Sequence, residues 1–172
     1  TLGPSEPVYS SGGHSLLRVI NHNTGRDIVY NWGTFDPKTE NFLVKFYQGV
    51  LPYRVAISFT DRYFEVEKKR NFRAIYEDQL NLTQKQKKKL LKHLKKFLKP
   101  ENRYYEYHLW YANCSTKIRD VLYDVLEEPF KSQFVDKSTH LTYRQIWKQY
   151  FDRWRTITFL SDTLLNRTGD QD

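Results

Sequence analysis

The sequence predicts an α+β fold built on an antiparallel sheet, with its single cysteine at the start of a helix. Three observations carry this. Two β-rich runs flank a Thr-Gly turn near the N-terminus, a long capped amphipathic helix occupies the middle of the chain, and an aromatic, alternating run leads straight into a second helix. At 172 residues the chain is expected to form one domain over 1–172, large enough to bury a core without disulfides or metal staples. A lone cysteine has no partner for an internal disulfide in any case.

Residues 1–13 are rich in Pro, Gly and Ser and read as loop. The runs 14–20 and 27–32 form a hairpin around Thr24-Gly25, closed by a loop at GTFDPKTEN, 33–41. A short helix is expected at 40–48, stopped by Gly49, then a β-branched and aromatic strand at 53–59. Residues 61–70 read as helix and 71–77 as strand. Next, Thr83 is a helix N-cap, with Leu90, Leu91, Leu94, Phe97 and Leu98 at helical spacing and Pro100 just past the end. The opposite face of this helix carries eight lysines between 85 and 99. The run 103–111 (RYYEYHLWY) alternates as a strand. Ile118, Val121, Leu122, Val125 and Leu126 then recur at helical spacing, which puts Cys114 at or one residue before a helix start. A helix from about 142 to 151, further helix or coil to 165 and a polar tail complete the chain.

The net charge of +8 and a pI near 9.4 point to an anionic partner. The ring-rich composition, 16% aromatic, argues against disorder. No run of eighteen apolar residues is present to span a membrane, and a chain opening on Thr1 reads as excised from a longer membrane protein. As a nucleic-acid patch the lysine helix lacks any accompanying binding signature, so no nucleic acid is expected; proximity to a membrane surface through 83–99 is the better functional reading. The single cysteine and scattered histidines give no metal-ligand spacing, and no phosphate-cradling glycine motif occurs, so neither metal nor cofactor is expected.

The chemistry centres on YANCSTKIRD, 111–120. A helix N-terminus favours the thiolate through its dipole and free N–H groups. The N–H groups around Ser115 and Thr116 also suit an oxyanion. A nucleophilic thiol needs an imidazole as proton acceptor. Of the five histidines, His93 and His22 read as solvated, His108 as core or sheet face and His140 as a loop residue. His14 opens a strand just after Gly12-Gly13 and is favoured. The second hairpin strand would supply a third group to orient it, with Asn31 and Asp36 as the polar candidates.

The segments YSSGGHSLLRV (9–19), YNWGTFD (30–36), NFLVKFYQGVLPY (41–53), LNLTQKQKKKLLKHL (80–94), PENRYYEYHLWYANCSTKIRD (100–120) and TYRQIW (142–147) follow one another as in a known pattern. In this order they resemble the Lnb N-terminal periplasmic domain family, which includes lipoprotein N-acyltransferases of Bacteroidota-type bacteria. The resemblance spans about residues 8–165. It implies a circularly permuted papain-like (NlpC/P60-type) fold, with the histidine strand before the cysteine helix, on the periplasmic face of the inner membrane. It also implies Cys114 as nucleophile and His14 as base, with Asn31 and Asp36 beside them. The implied partners are a phospholipid acyl donor and a diacylated lipoprotein acceptor. Trp32, Tyr104, Tyr107 and Trp110 are the candidates for an acyl slot. Rival expectations are a thiol hydrolase acting on a peptide or amide, and a noncatalytic lipoprotein- or membrane-binding domain.

Overall fold

In the computed structural model, which describes residues 1–6, 10–134, 139–152, 155, 158 and 159, the N-terminal hairpin comes first. Strands β1 (Leu17–Asn21) and β2 (Arg26–Phe35) pair from Asn21 opposite Arg26 to Leu17 opposite Tyr30. The Asn21 side chain accepts the Asn23 and Thr24 N–H groups, and Gly25 takes the positive φ the turn needs. Helix α1 (Phe42–Gln48) leads into β3 (Leu51–Phe59), and α2 (Thr60–Lys69) follows without a break. Helices α3 (Gln84–Phe97) and α4 (Pro100–Arg103) precede β4 (Tyr104–Tyr107). Helices α5 (Cys114–Leu126), α6 (Glu128–Lys131) and α7 (Tyr143–Phe151) follow. The four strands form one antiparallel sheet in the order β1-β2-β3-β4.

The core lies between the sheet and two helices. Leu17, Tyr30, Trp32 and Val55 of the sheet pack with Leu90 and Leu94 of α3 and Val121 and Val125 of α5. Helix α3 forms where its cap and apolar spacing place it: Thr83 accepts the Gln86 N–H while Gln86 reaches back to the Thr83 N–H. Its two buried leucines pin one face to the core, so the lysines are turned outward. Among the described residues no helix is long and apolar enough to cross a membrane.

Three local expectations are corrected. Residues 33–35 belong to β2, because β3 offers them partners: Thr34 pairs with Arg54 and Phe35 with Tyr53. Residues 71–77 form no strand; Ile75 makes a single bridge to Leu2, which bridges His14 on its other side. The aromatic strand ends at Tyr107, not 111, because the chain folds back at His108. There the His108 and Ala112 backbones bond to each other at 3.0 Å both ways, and His108 Nδ1 accepts the Trp110 and Tyr111 N–H groups. The continuation expected to 165, beyond its few described residues, and the polar tail lie outside the described residues.

Candidate active site

Cys114 is the first residue of α5, and the sequence ahead of it explains why the helix starts there. Asn113 has extended backbone, and its side-chain oxygen accepts the Ser115 and Thr116 N–H groups at 2.9 and 3.0 Å. Thr116 closes the capping box by accepting the Asn113 N–H at 2.8 Å, and Asn113 Nδ2 donates back to the Leu109 carbonyl. The fold-back at His108 delivers Asn113 to this position. Its imidazole therefore serves the turn, and burial holds it below the usual histidine range as a neutral acceptor.

His14 reaches Cys114 from ahead of β1. Leu2 donates to the His14 carbonyl and accepts the His14 N–H, at 2.7 and 3.0 Å, which fixes the backbone of the histidine. Ser15 and Ser115 hydroxyls meet at 2.9 Å, tying this segment to the first turn of α5 across a hundred residues of chain. The His14 ring and the Cys114 thiol act on each other, each raising or lowering the other through hydrogen bonding and charge.

The ring lies over β2. Between Asn31 paired with Ala56 and Thr34 paired with Arg54, β2 carries one residue more than β3, a bulge at Trp32-Gly33. A methyl group on Gly33 would stand 2.3 Å from His14 Cε1, so the missing side chain is the space the imidazole occupies. Asn31 Oδ1 accepts the Gly33 N–H at 2.6 Å and lies 2.8 Å from His14 Nε2. An oxygen already accepting one N–H faces Nε2, so Nε2 is the protonated nitrogen and Nδ1 is left for the thiol.

The electrostatics follow. Burial pushes the Cys114 thiol up, but the hydrogen bond and charge of His14, the Ser15 backbone N–H and the Ser115 hydroxyl outweigh it and lower its pKa to about 7. For His14, burial and the charge of Arg73 act downward, while the bond and charge of Cys114 and the Asn31 hydrogen bond act upward and prevail. The arrangement favours thiolate beside imidazolium, the reactive form of a nucleophilic cysteine.

The structure thus brings Asn31, and not Asp36, to His14. Asp36 is exposed and caps its own turn, accepting the Lys38 N–H on its side chain and the Thr39 N–H on its carbonyl. The Ser115 and Thr116 N–H groups are corrected as oxyanion donors, since Asn113 already occupies both. Of the first-turn amides, the Cys114 N–H alone is without a partner among the described residues. Trp32 is 1% exposed in the core and lines no accessible slot. Trp110 stacks on Tyr143 at 5.1 Å and meets Trp147 edge-on, which anchors the cysteine turn to α7. Tyr104 stands exposed at the start of β4.

Tyr107 lies within reach of the charge of Cys114. It stacks on Tyr53 at 4.4 Å and on Phe46 at 5.2 Å, with Phe35 beyond Tyr53 at 5.1 Å. Burial raises the Tyr53, Tyr105 and Tyr107 hydroxyls, and each also feels the charge of Cys114. Sequence reasoning missed Tyr53, Tyr63 and Ser15. For Tyr53 the strand alternation was the available signal; for a backbone N–H such as that of Ser15 there is none. The family model described as the Lnb N-terminal periplasmic domain matches residues 1–150. No curated protein and no solved structure matches the chain.

Proposed function

The chain belongs to the Lnb N-terminal periplasmic domain family, a lipoprotein-processing family of the periplasm, and from that premise we propose that it is the catalytic domain of a cysteine-dependent lipoprotein N-acyltransferase. The single observation that carries this is the Cys114–His14–Asn31 arrangement, a low-pKa thiol held by an imidazole whose far nitrogen is tied to an amide oxygen. Its order in the chain, histidine before cysteine, supports a circularly permuted papain-like (NlpC/P60-type) reading of the α+β fold.

In the first half-reaction the Cys114 thiolate attacks an ester carbonyl of a phospholipid. The C–S bond forms, the carbonyl oxygen takes the electron pair, and the Cys114 N–H, without a partner among the described residues, is the proposed donor to that oxyanion. Collapse expels the alkoxide of the lysolipid, which takes its proton from the His14 imidazolium. In the second, the α-amine of a diacylated lipoprotein's N-terminal cysteine attacks the thioester, gives a proton to His14 and leaves as the amide, restoring the thiolate. Tyr107, Phe46 and Phe35, backed by the buried Tyr53, form the ring surface proposed for the acyl chain. The outward lysines of α3 are proposed to rest on anionic headgroups, each adding on the order of 1 kcal/mol near the surface.

The test is product analysis with phospholipid vesicles and a diacylated lipopeptide. The N-acylated lipopeptide is expected with the wild-type chain and absent with Cys114→Ser and His14→Ala. Free fatty acid as the only product would make water the acceptor and the protein a hydrolase.

A further inference from the structure

The orientation of Asn31 decides which His14 nitrogen carries the proton, and a side-chain amide turned by half a rotation exchanges its oxygen and nitrogen in nearly the same space. On one side the choice is made by the Gly33 N–H, which only donates. On the other, Asn31 Nδ2 donates to the Tyr63 hydroxyl at 3.3 Å. A phenol either donates or accepts, so something must settle its direction. Glu67, four residues on along α2 and so on the same helix face, bears on Tyr63 with its negative charge. That charge draws the phenol proton to the Glu67 side and leaves an oxygen lone pair to accept from Asn31 Nδ2.

The far end of this chain is held in turn. Glu67 is 7% exposed, pairs with Arg73 at 3.5 Å and accepts from Asn71 Nδ2 at 3.1 Å. Arg73 is buried too, and its Nε donates to the Gly3 carbonyl at 2.8 Å. Gly3 follows Leu2, the residue bonded both ways to the His14 backbone. The segment that carries the histidine therefore also seats the arginine behind Glu67. Glu67 offsets the positive charge of Arg73, which by itself disfavours imidazolium at His14.

We propose that Tyr63 and Glu67, backed by Arg73, are positioning residues that act through Asn31 to keep His14 protonated on Nε2 and its Nδ1 turned to Cys114. This rests on the reading of Cys114 and His14 as the reacting pair. If Asn31 turned over, its NH₂ would face Nε2, the imidazolium would lose its acceptor and the thiolate would lose its partner.

The test is the pH dependence of Cys114 alkylation by iodoacetamide in the full chain, which requires no acyl substrate. Tyr63→Phe removes one hydroxyl and keeps the ring; Glu67→Gln keeps the shape and removes the negative charge. Both are expected to move the midpoint upward by about one unit, lowering the rate below pH 7 about tenfold while leaving the plateau at high pH unchanged. Asn31→Ala is expected to match them. A Tyr63→Phe protein with wild-type near-UV circular dichroism and a wild-type midpoint would overturn the proposal. A measurement on the unaltered chain guards against a misfolded variant: the ring ¹⁵N spectrum of His14 is expected to show Nε2 protonated, in the neutral ring and the imidazolium alike, and an unprotonated Nε2 would overturn the proposal equally. A low thiol midpoint that shifts as expected, in a protein that forms no acyl product, would reject acyl transfer and leave the positioning chain standing.

Discussion

Burial alone would keep the Cys114 thiol protonated at neutral pH, and everything that opposes it comes from three neighbours, His14, Ser15 and Ser115. The thiolate is therefore expected to form as pH rises through about 7, so alkylation should be slow below that midpoint and fast above it. In His14→Ala, with the lowering partner gone and burial left, the midpoint should lie above the free-thiol value of about 8.5. Acyl transfer should fall again at higher pH as His14 loses the proton it holds for the leaving group. Gly33→Ala tests the space beneath the ring. With a methyl carbon 2.3 Å from Cε1, the imidazole must move, and activity is expected to fall on the order of a hundredfold, as misplacement by about 1 Å typically costs. Asp36→Ala, at an exposed turn, should leave activity within a factor of two or so, the usual scale for surface changes of about 0.5 kcal/mol. At this scale Cys114 and His14 were legible because a lone thiol before a helical pattern and a histidine after two glycines are local signals. The choice between Asn31 and Asp36 was not, because it depends on a one-residue bulge in β2 that only pairing with β3 defines.

At the scale of elements, the two long helices were legible from period and cap, and their internal geometry follows. Asn113→Ala should cost about 1 kcal/mol of stability by urea unfolding, since it frees two N–H groups at the start of α5. Helix α3 separates packing from charge. Leu94→Ala, at a site with no exposure, should cost about 2–5 kcal/mol. Changing the exposed Lys88, Lys92 and Lys95 together to Gln should shift stability by only about 0.5 kcal/mol or less per site and weaken co-sedimentation with anionic vesicles. Vesicle binding unchanged in that triple variant would remove α3 from the proposed membrane face. Alternation continues through His108-Leu109-Trp110-Tyr111 and so extends the expected strand to 111, while the His108 side chain bonds the backbone into a turn. The run at 71–77 has strand-like composition, yet Arg73 turns to Glu67 and the Gly3 carbonyl while Ile75 bridges Leu2. Composition does not record that a segment will be held by isolated bridges.

Across the whole molecule, the sheet order and the hairpin register bring residues separated by a hundred positions to one point, with the N-terminal segment as the clamp. Leu2, fully buried, joins His14 to Ile75, and Gly3 carries the arginine behind the site. That segment reads from sequence as a plain loop because its partners, His14 and the stretch after α2, are distant in the chain. The α+β class and antiparallel sheet were legible from the alternation of short β-rich runs with two strong helices. The network behind Asn31 was not, since Tyr63 and Glu67 on a charged helix look like any solvated pair at i, i+4 spacing. Whether Cys114 carries the acyl group is read from intact mass after incubation with phospholipid vesicles. One added acyl chain is expected on the wild-type protein, released by hydroxylamine and absent from Cys114→Ser. An adduct that persists undiminished in Cys114→Ser, or no adduct on a wild-type chain whose thiol titrates near 7, would contradict Cys114 as the carrier.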